Sequence, residues 1–286
     1  MTDRILASYW TIAGSPVPEP ARFTFEARVR AAAEAGFWGI GLLAADYVAT
    51  RQRGFTDAEL LRLVESYGIV VDEVEFLSGW SSDDGTVRES ALEVEAQLFA
   101  AAAAFGARQL NAGCSELLGA LPEVDSVAQR FAALCERAAA HDLVVAIEFL
   151  PWTGIPDATT AWDVARRAGA ANGGVLLDTW HFFRGNSSTE ALSAIPAERI
   201  FGLQVNDGPA QPVGEIRDET RHGRRLPGEG DFDLVGLVRV LQSMGVDAPW
   251  AIEVMSDTHA ALPLAAAARD AFQATTALLQ RARGHA

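Results

Sequence analysis

Four apolar runs in the second half of the sequence each carry a polar side chain that is costly to bury. They are Ala146-Ile147-Glu148-Phe149, Leu176-Leu177-Asp178, Gly202-Leu203-Gln204-Val205 and Trp250-Ala251-Ile252-Glu253-Val254. A single acid of this kind is ordinarily structural and hydrogen-bonded to backbone, so the signal lies in the set on consecutive runs. Three carboxylates brought to one place repel one another and raise each other's pKa, and a divalent cation removes that problem. Carboxylate and amide oxygens suit hard or borderline ions, so Mn²⁺ or Mg²⁺ is expected first, with Co²⁺ or Zn²⁺ as alternatives. Glu75, in Val74-Glu75-Phe76, faces the same test, with a structural and a substrate-contact role weighed equally. His181 follows Asp178 by three residues and is placed at the same mouth.

The elements that would position these groups are short apolar runs separated by amphipathic segments. Strands are expected over 5–10, 38–43, 69–76, 108–112, 144–149, 175–178, 200–206 and 250–254. Several are continuously apolar, as in a parallel sheet covered on both faces. Helices are expected over 23–35, 90–105, 126–141, 160–168, 234–244 and 264–283, with a short one over 189–195. Thr56-Asp57-Ala58-Glu59 reads as a capping box opening a further helix to about Tyr67, stopped by Gly68. Eight such units without a Pro/Gly/Ser-rich linker read as α/β, one (β/α)8 TIM-barrel domain over 1–286. An open doubly wound sheet would carry a glycine-rich fingerprint after its first strand, and Ala13-Gly14-Ser15-Pro16 does not match one. In a barrel, reacting groups sit at the C-terminal ends of different strands, where Glu148, Asp178, Gln204 and Glu253 fall.

Composition excludes several chemistries. All 23 basic residues are Arg, and without Lys there is no Schiff-base aldolase, pyridoxal phosphate enzyme or P-loop. The net charge of −15 argues against nucleic acid or an anionic membrane as partner, although Arg221, Arg224 and Arg225 could together meet one anionic group. Cys114 and Cys135 make no disulfide framework and suit a reducing cytoplasm. Met1-Thr2-Asp3-Arg4-Ile5 lacks a signal-peptide core, and no run approaches the ~20 apolar residues of a membrane span.

The chain resembles the sugar phosphate isomerase/epimerase superfamily, the xylose-isomerase-like barrels, over essentially its whole length. The resemblance rests on Ile147-Glu148-Phe149, Leu177-Asp178-Thr179-Trp180-His181, Arg225-Leu226-Pro227-Gly228-Glu229-Gly230 and Ile252-Glu253-Val254. It implies one divalent metal held by Glu148, Asp178, Gln204 and Glu253, with His181 on a substrate oxygen. Arg225 matches a substrate-contacting Arg in the loop after the seventh strand. Many members place His where this chain has Gln204, which lowers the expectation of zinc. Related endonucleases that act on abasic DNA use a His-rich zinc site. Five His, with His141, His259 and His285 off the ligand positions, fit that poorly.

The expected reaction is proton transfer next to the carbonyl of a small carbohydrate-like substrate, through an enediolate, with Glu148 and Glu253 as acid and base. Return of the proton gives an isomerase or epimerase. Loss of a β-hydroxyl gives the alternative, a lyase acting on a keto-cyclitol, 3-keto sugar or dehydroshikimate-like compound. Binding without turnover is the third and weakest reading. Trp10, Trp80, Trp152 and Trp180 fall near strand ends, where they either stack on a ring or fill the mouth; Trp152 is taken as substrate-binding. No glycine-rich cradle supports a phosphorylated substrate. The polar stretch 213–224 is expected to lie over the metal and to aim Arg225 at the substrate. A homo-oligomer is compatible with these features.

Overall fold

The computed structural model describes residues 3–116, 123–185 and 187–284. Eight parallel strands close into a barrel in sequence order. They are β1 (Ile5–Ala7), β2 (Gly39–Leu43), β3 (Val70–Leu77), β4 (Gln109–Gly113), β5 (Val144–Glu148), β6 (Gly173–Asp178), β7 (Ile200–Val205) and β8 (Trp250–Ile252). The ring is completed where Leu6 of β1 pairs with Ala251 of β8. Outward-facing Ile40, Leu42, Val74, Ile147 and Val175 pack under the helices.

The inward face is more polar than the apolar runs suggest. Glu73 and Glu75 are two residues apart on β3, so both point into the barrel. Gly41 on β2 makes room for them, since a Cβ there would lie 2.5 Å from Glu75 Oε1 and 2.8 Å from Glu73 Oε1. Below the mouth, Glu73 Oε2 accepts from Asn111 Nδ2 at 3.1 Å, and Asn111 Oδ1 accepts from Gln109 Nε2 at 2.7 Å.

The helices follow local capping rules. The Thr56 hydroxyl accepts from Glu59 N and the Glu59 carboxylate accepts from Thr56 N, closing the expected capping box on the helix Asp57–Ser66. Asp84 caps Gly85–Phe105, which begins five residues before the expected start, and Gly106 ends it. Several elements depart from expectation. The first strand stops at Ala7 because the chain turns into a helix at Tyr9–Ala13, whose Tyr9 and Ile12 are buried. A helix over Ala44–Gln52 was not expected, and its hydrophobic pattern is weak. Within 213–224 a helix forms over Ile216–His222 and buries Glu219 and Thr220, two polar residues that no apolar periodicity marks. No helix among the described residues is long and apolar enough to cross a membrane.

Candidate active site

The barrel register brings the expected residues to one mouth. Glu148 and Asp178 are the last residues of β5 and β6. Gln204 pairs in register with Asp178, and Glu253 follows β8 with its N–H donating to Val205 O at 3.1 Å. All four side chains are buried. Asp178 also caps the helix Thr179–Arg184. Its Oδ1 accepts from His181 N at 3.1 Å and its Oδ2 from Asn206 Nδ2 at 2.9 Å, which fixes the carboxylate. A cavity of about 280 Å³ opens over this floor. Glu75, Glu148, His181 and Glu253 reach it, and Trp10 and Trp152 form part of its wall. Trp80 and Trp180 are packed instead: Trp80 Nε1 donates to Gly113 O at 3.0 Å, and the Trp180 ring is buried under Trp152.

Arg224 is the central cation and was not singled out as a site residue from the sequence. Its guanidinium is fully buried, with Nη1 2.8 Å from Asp178 Oδ2 and 3.0 Å from Glu253 Oε2. Its Nε donates to Thr220 O at 3.0 Å and its Nη2 to Thr220 Oγ1 at 2.8 Å. The expectation for Arg225 is corrected. Arg225 is exposed, points away from the cavity and donates to Glu229 O at 3.2 Å. The reason is parity. Gly223 ends the helix and is bridged to Ser256, and Arg225 is bridged to Asp207, so Arg224 and Arg225 lie in a segment held on both sides. Successive side chains then face opposite ways, so one of two adjacent arginines must point inward and the other out. The turn that follows is pinned by Asp207, which accepts from Gly208 N at 2.8 Å, Gly228 N at 2.8 Å and Phe232 N at 3.1 Å. Gly228 has φ +93°, which a side chain would strain.

The electrostatics follow from burial. Desolvation pushes Glu148 up to about 8, with the Asp178 charge adding and Arg224 opposing. Desolvation pushes Glu253 to about 7, again against Arg224. Burial lowers His181 to about 4, so its ring is neutral at pH 7. Its Nε2 lies 3.1 Å from Glu148 Oε1 and 3.3 Å from Arg224 Nη2. One neutral nitrogen cannot both donate to a carboxylate and accept from a guanidinium. That nitrogen therefore serves one of the two contacts at a time, according to the tautomer of the ring. Glu75 is raised well above the usual carboxylate range by burial and then by Glu73. Its Oε1 accepts from Tyr9 N at 3.1 Å and lies 3.4 Å from Ser8 Oγ. Ser8 Oγ donates to Glu253 Oε1 at 3.0 Å, so Ser8 links the two acids.

The donor set suits a divalent cation on two observations. Glu148, Asp178 and His181 each offer an atom within 4.8 Å of the others. Gln204 Oε1 is buried with no hydrogen-bond partner among the described residues, while its Nε2 donates to Glu253 Oε1 at 3.2 Å. Glu253 is not one of the close trio, being engaged by Arg224, Ser8 and Gln204. When ionised, Glu148, Asp178 and Glu253 carry three negative charges against the one of Arg224, which leaves the two that a divalent ion neutralises. His141 and His259 lie away from this cluster, stacked on Phe99 and against Thr11 O respectively, and His285 is outside the described residues.

The family model described as xylose isomerase-like TIM barrel matches residues 29–278. A 3-dehydroshikimate dehydratase of Pseudomonas aeruginosa is 33% identical over 174 residues, covering 60% of this chain and 27% of that protein. An inosose isomerase of Bacillus licheniformis is 26% identical over 153 residues, covering 52% of this chain and 53% of that protein. The match thus spans about a quarter of one relative and about half of the other. A solved structure described as the IOLI protein with a binding zinc atom superposes with TM-score 0.86 at 16% identity, covering 97% of this chain and 98% of that one. At that identity the likeness is one of fold.

Proposed function

The chain belongs to the xylose isomerase-like TIM barrel family, and on that premise we propose that it is a divalent-metal-dependent enzyme that moves a proton next to the carbonyl of a small polyhydroxylated substrate. The observation that carries this reading is the floor of the cavity, where buried Asp178 and Glu253 pair with Arg224 and buried Glu148 lies beside Asp178 and His181. Glu148, Asp178, Gln204 and Glu253 would hold the ion, with His181 beside them. A bound divalent cation supplies Lewis acidity that polarises a carbonyl and stabilises developing enediolate charge.

The chain's own residues do the rest. Glu148 and Glu253 both reach the cavity, and pKa values raised toward neutrality suit groups that take and return a proton near pH 7. Neutral His181 can hydrogen-bond a substrate oxygen, and Trp10 and Trp152 narrow access for water. Delivery of the abstracted proton to the other face of the same carbon, or to the neighbouring carbon, gives epimerisation or isomerisation. Departure of a β-hydroxyl with a proton, as water, gives dehydration. The dehydratase outcome is supported by the 33% identity to the P. aeruginosa dehydratase, against 26% for the inosose isomerase.

The test is a panel of polyhydroxylated ketones and keto acids in D₂O, followed by NMR with Mn²⁺ and with chelator. Deuterium next to the carbonyl with the skeleton intact identifies an isomerase or epimerase, and loss of water identifies a dehydratase. Full turnover in metal-free protein, or neither outcome on any substrate, overturns the reading.

A further inference from the structure

The cavity carries a second cation, at its rim. Arg221 stands in the last turn of the helix Ile216–His222 and lines the cavity with Arg224. The residues around it are paired: Glu219 with Arg184 at 2.5 Å, His222 with Asp257 at 2.9 Å, and Arg224 with Asp178 and Glu253. Among the described residues no ion pair engages Arg221. Its backbone is nevertheless held, because Glu219 and Thr220 on the same turn are buried and bonded to Arg184 and Arg224. The rest of the wall near the mouth is apolar, with Val17, Leu150, Trp152 and Met255. Arg221 is exposed at the rim, and a ligand seated against the apolar wall would displace water from one side of it, which strengthens its contact with an anion. A guanidinium presents a planar fork that matches a carboxylate with two parallel hydrogen bonds.

We propose that Arg221 is a specificity-determining residue that receives a substrate carboxylate, so that the site takes a small hydroxylated keto acid in preference to a neutral sugar. This rests on the enolising function proposed above and narrows its substrate class. The volume of about 280 Å³ accommodates one substituted six-membered ring. An acid group at the rim and a carbonyl on the floor fix such a ring at two ends. A phosphate would carry more charge than the single rim cation balances.

The test compares quinate, a hydroxylated ring carboxylate, with its methyl ester, which keeps the ring and removes the charge. Calorimetric Kd values are taken for wild type, Arg221→Gln and Arg221→Lys, with Mn²⁺ and after chelation. Wild type should bind quinate at least about tenfold tighter than the ester, a difference of about 1.4 kcal/mol. The ratio should collapse toward one in Arg221→Gln and recover in part in Arg221→Lys, with circular dichroism unchanged. A ratio that persists in Arg221→Gln would place the carboxylate on the floor and overturn the proposal. Equal binding of the two compounds by wild type overturns it as well. Neither compound has a ketone, so this result stands apart from the D₂O experiment, and either reading can fail without the other.

Discussion

Arg224 and Asp178 form an ion pair with both side chains at 0% exposure, Nη1 to Oδ2 at 2.8 Å, and the same nitrogen reaches Glu253. Removing one partner of a buried pair strands the other charge, at a cost of about 3–5 kcal/mol. Arg224→Met should therefore lose stability on that scale in chelated protein. Added Mn²⁺ should restore part of it by supplying the missing positive charge. Denaturant melts with and without metal check this, and an unchanged midpoint in the chelated variant would remove Arg224 from its central place.

Metal binding should itself be visible as stability. An ion that binds only the folded site adds about 2.7 kcal/mol at a hundredfold excess over Kd. Mn²⁺ or Mg²⁺ should raise Tm in wild type and leave Asp178→Asn nearly unshifted. Equal shifts in the two proteins would mean that the ion binds elsewhere.

Glu148→Gln and Glu253→Gln keep the side-chain shape and one carbonyl-type oxygen but cannot take a proton. Each should lower kcat by about 10²-fold or more on whichever substrate the panel identifies. Arg225→Ala, whose side chain faces solvent, should leave kcat/KM within about twofold. Near-normal turnover in both glutamate variants would move the base to Glu75, which also lines the cavity.

Glu73 is buried with Oε1 unpartnered among the described residues, and desolvation pushes its carboxyl up to about 8. The folded chain keeps a proton there that the unfolded chain releases near the usual value of about 4. Stability from this group is therefore complete below that value and is lost as pH rises through about 8. Chelated wild type should lose Tm between pH 5 and pH 8, roughly, and Glu73→Gln should reduce that loss. Parallel pH profiles for the two proteins would show that Glu73 does not titrate in this range.

Asp207 accepts three backbone N–H bonds and so holds the turn that follows Arg225. Bonds to a charged acceptor contribute about 1.5–3 kcal/mol each. Asp207→Ala should cost several kcal/mol in melts and also lower kcat/KM, because Asp207 is bridged to Arg225, the residue next to Arg224. Loss of stability with kcat/KM unchanged would separate the turn from the site.

The apolar runs determined the barrel, because a strand covered on both faces must be apolar and the eight runs are spaced for one βα unit each. Glu148, Asp178, Gln204 and Glu253 stood out for the same reason: a polar group inside such a run must be satisfied by something. What the sequence left undetermined depends on direction and on partners distant along the chain. Arg224 and Arg225 are adjacent and identical in type, and only the bridges of residues 223 and 225 to Ser256 and Asp207 decide which one faces inward. The helix Ile216–His222 has no apolar stripe to announce it, since it is anchored by polar contacts of Glu219 with Arg184 and of Thr220 with Arg224. Glu75 stood out with that set, but Glu73, two residues before it, lies in a strand that reads as ordinary alternation. Their burial follows from closure of the barrel, which turns one face of every strand away from water and leaves Gly41 opposite them to make the space.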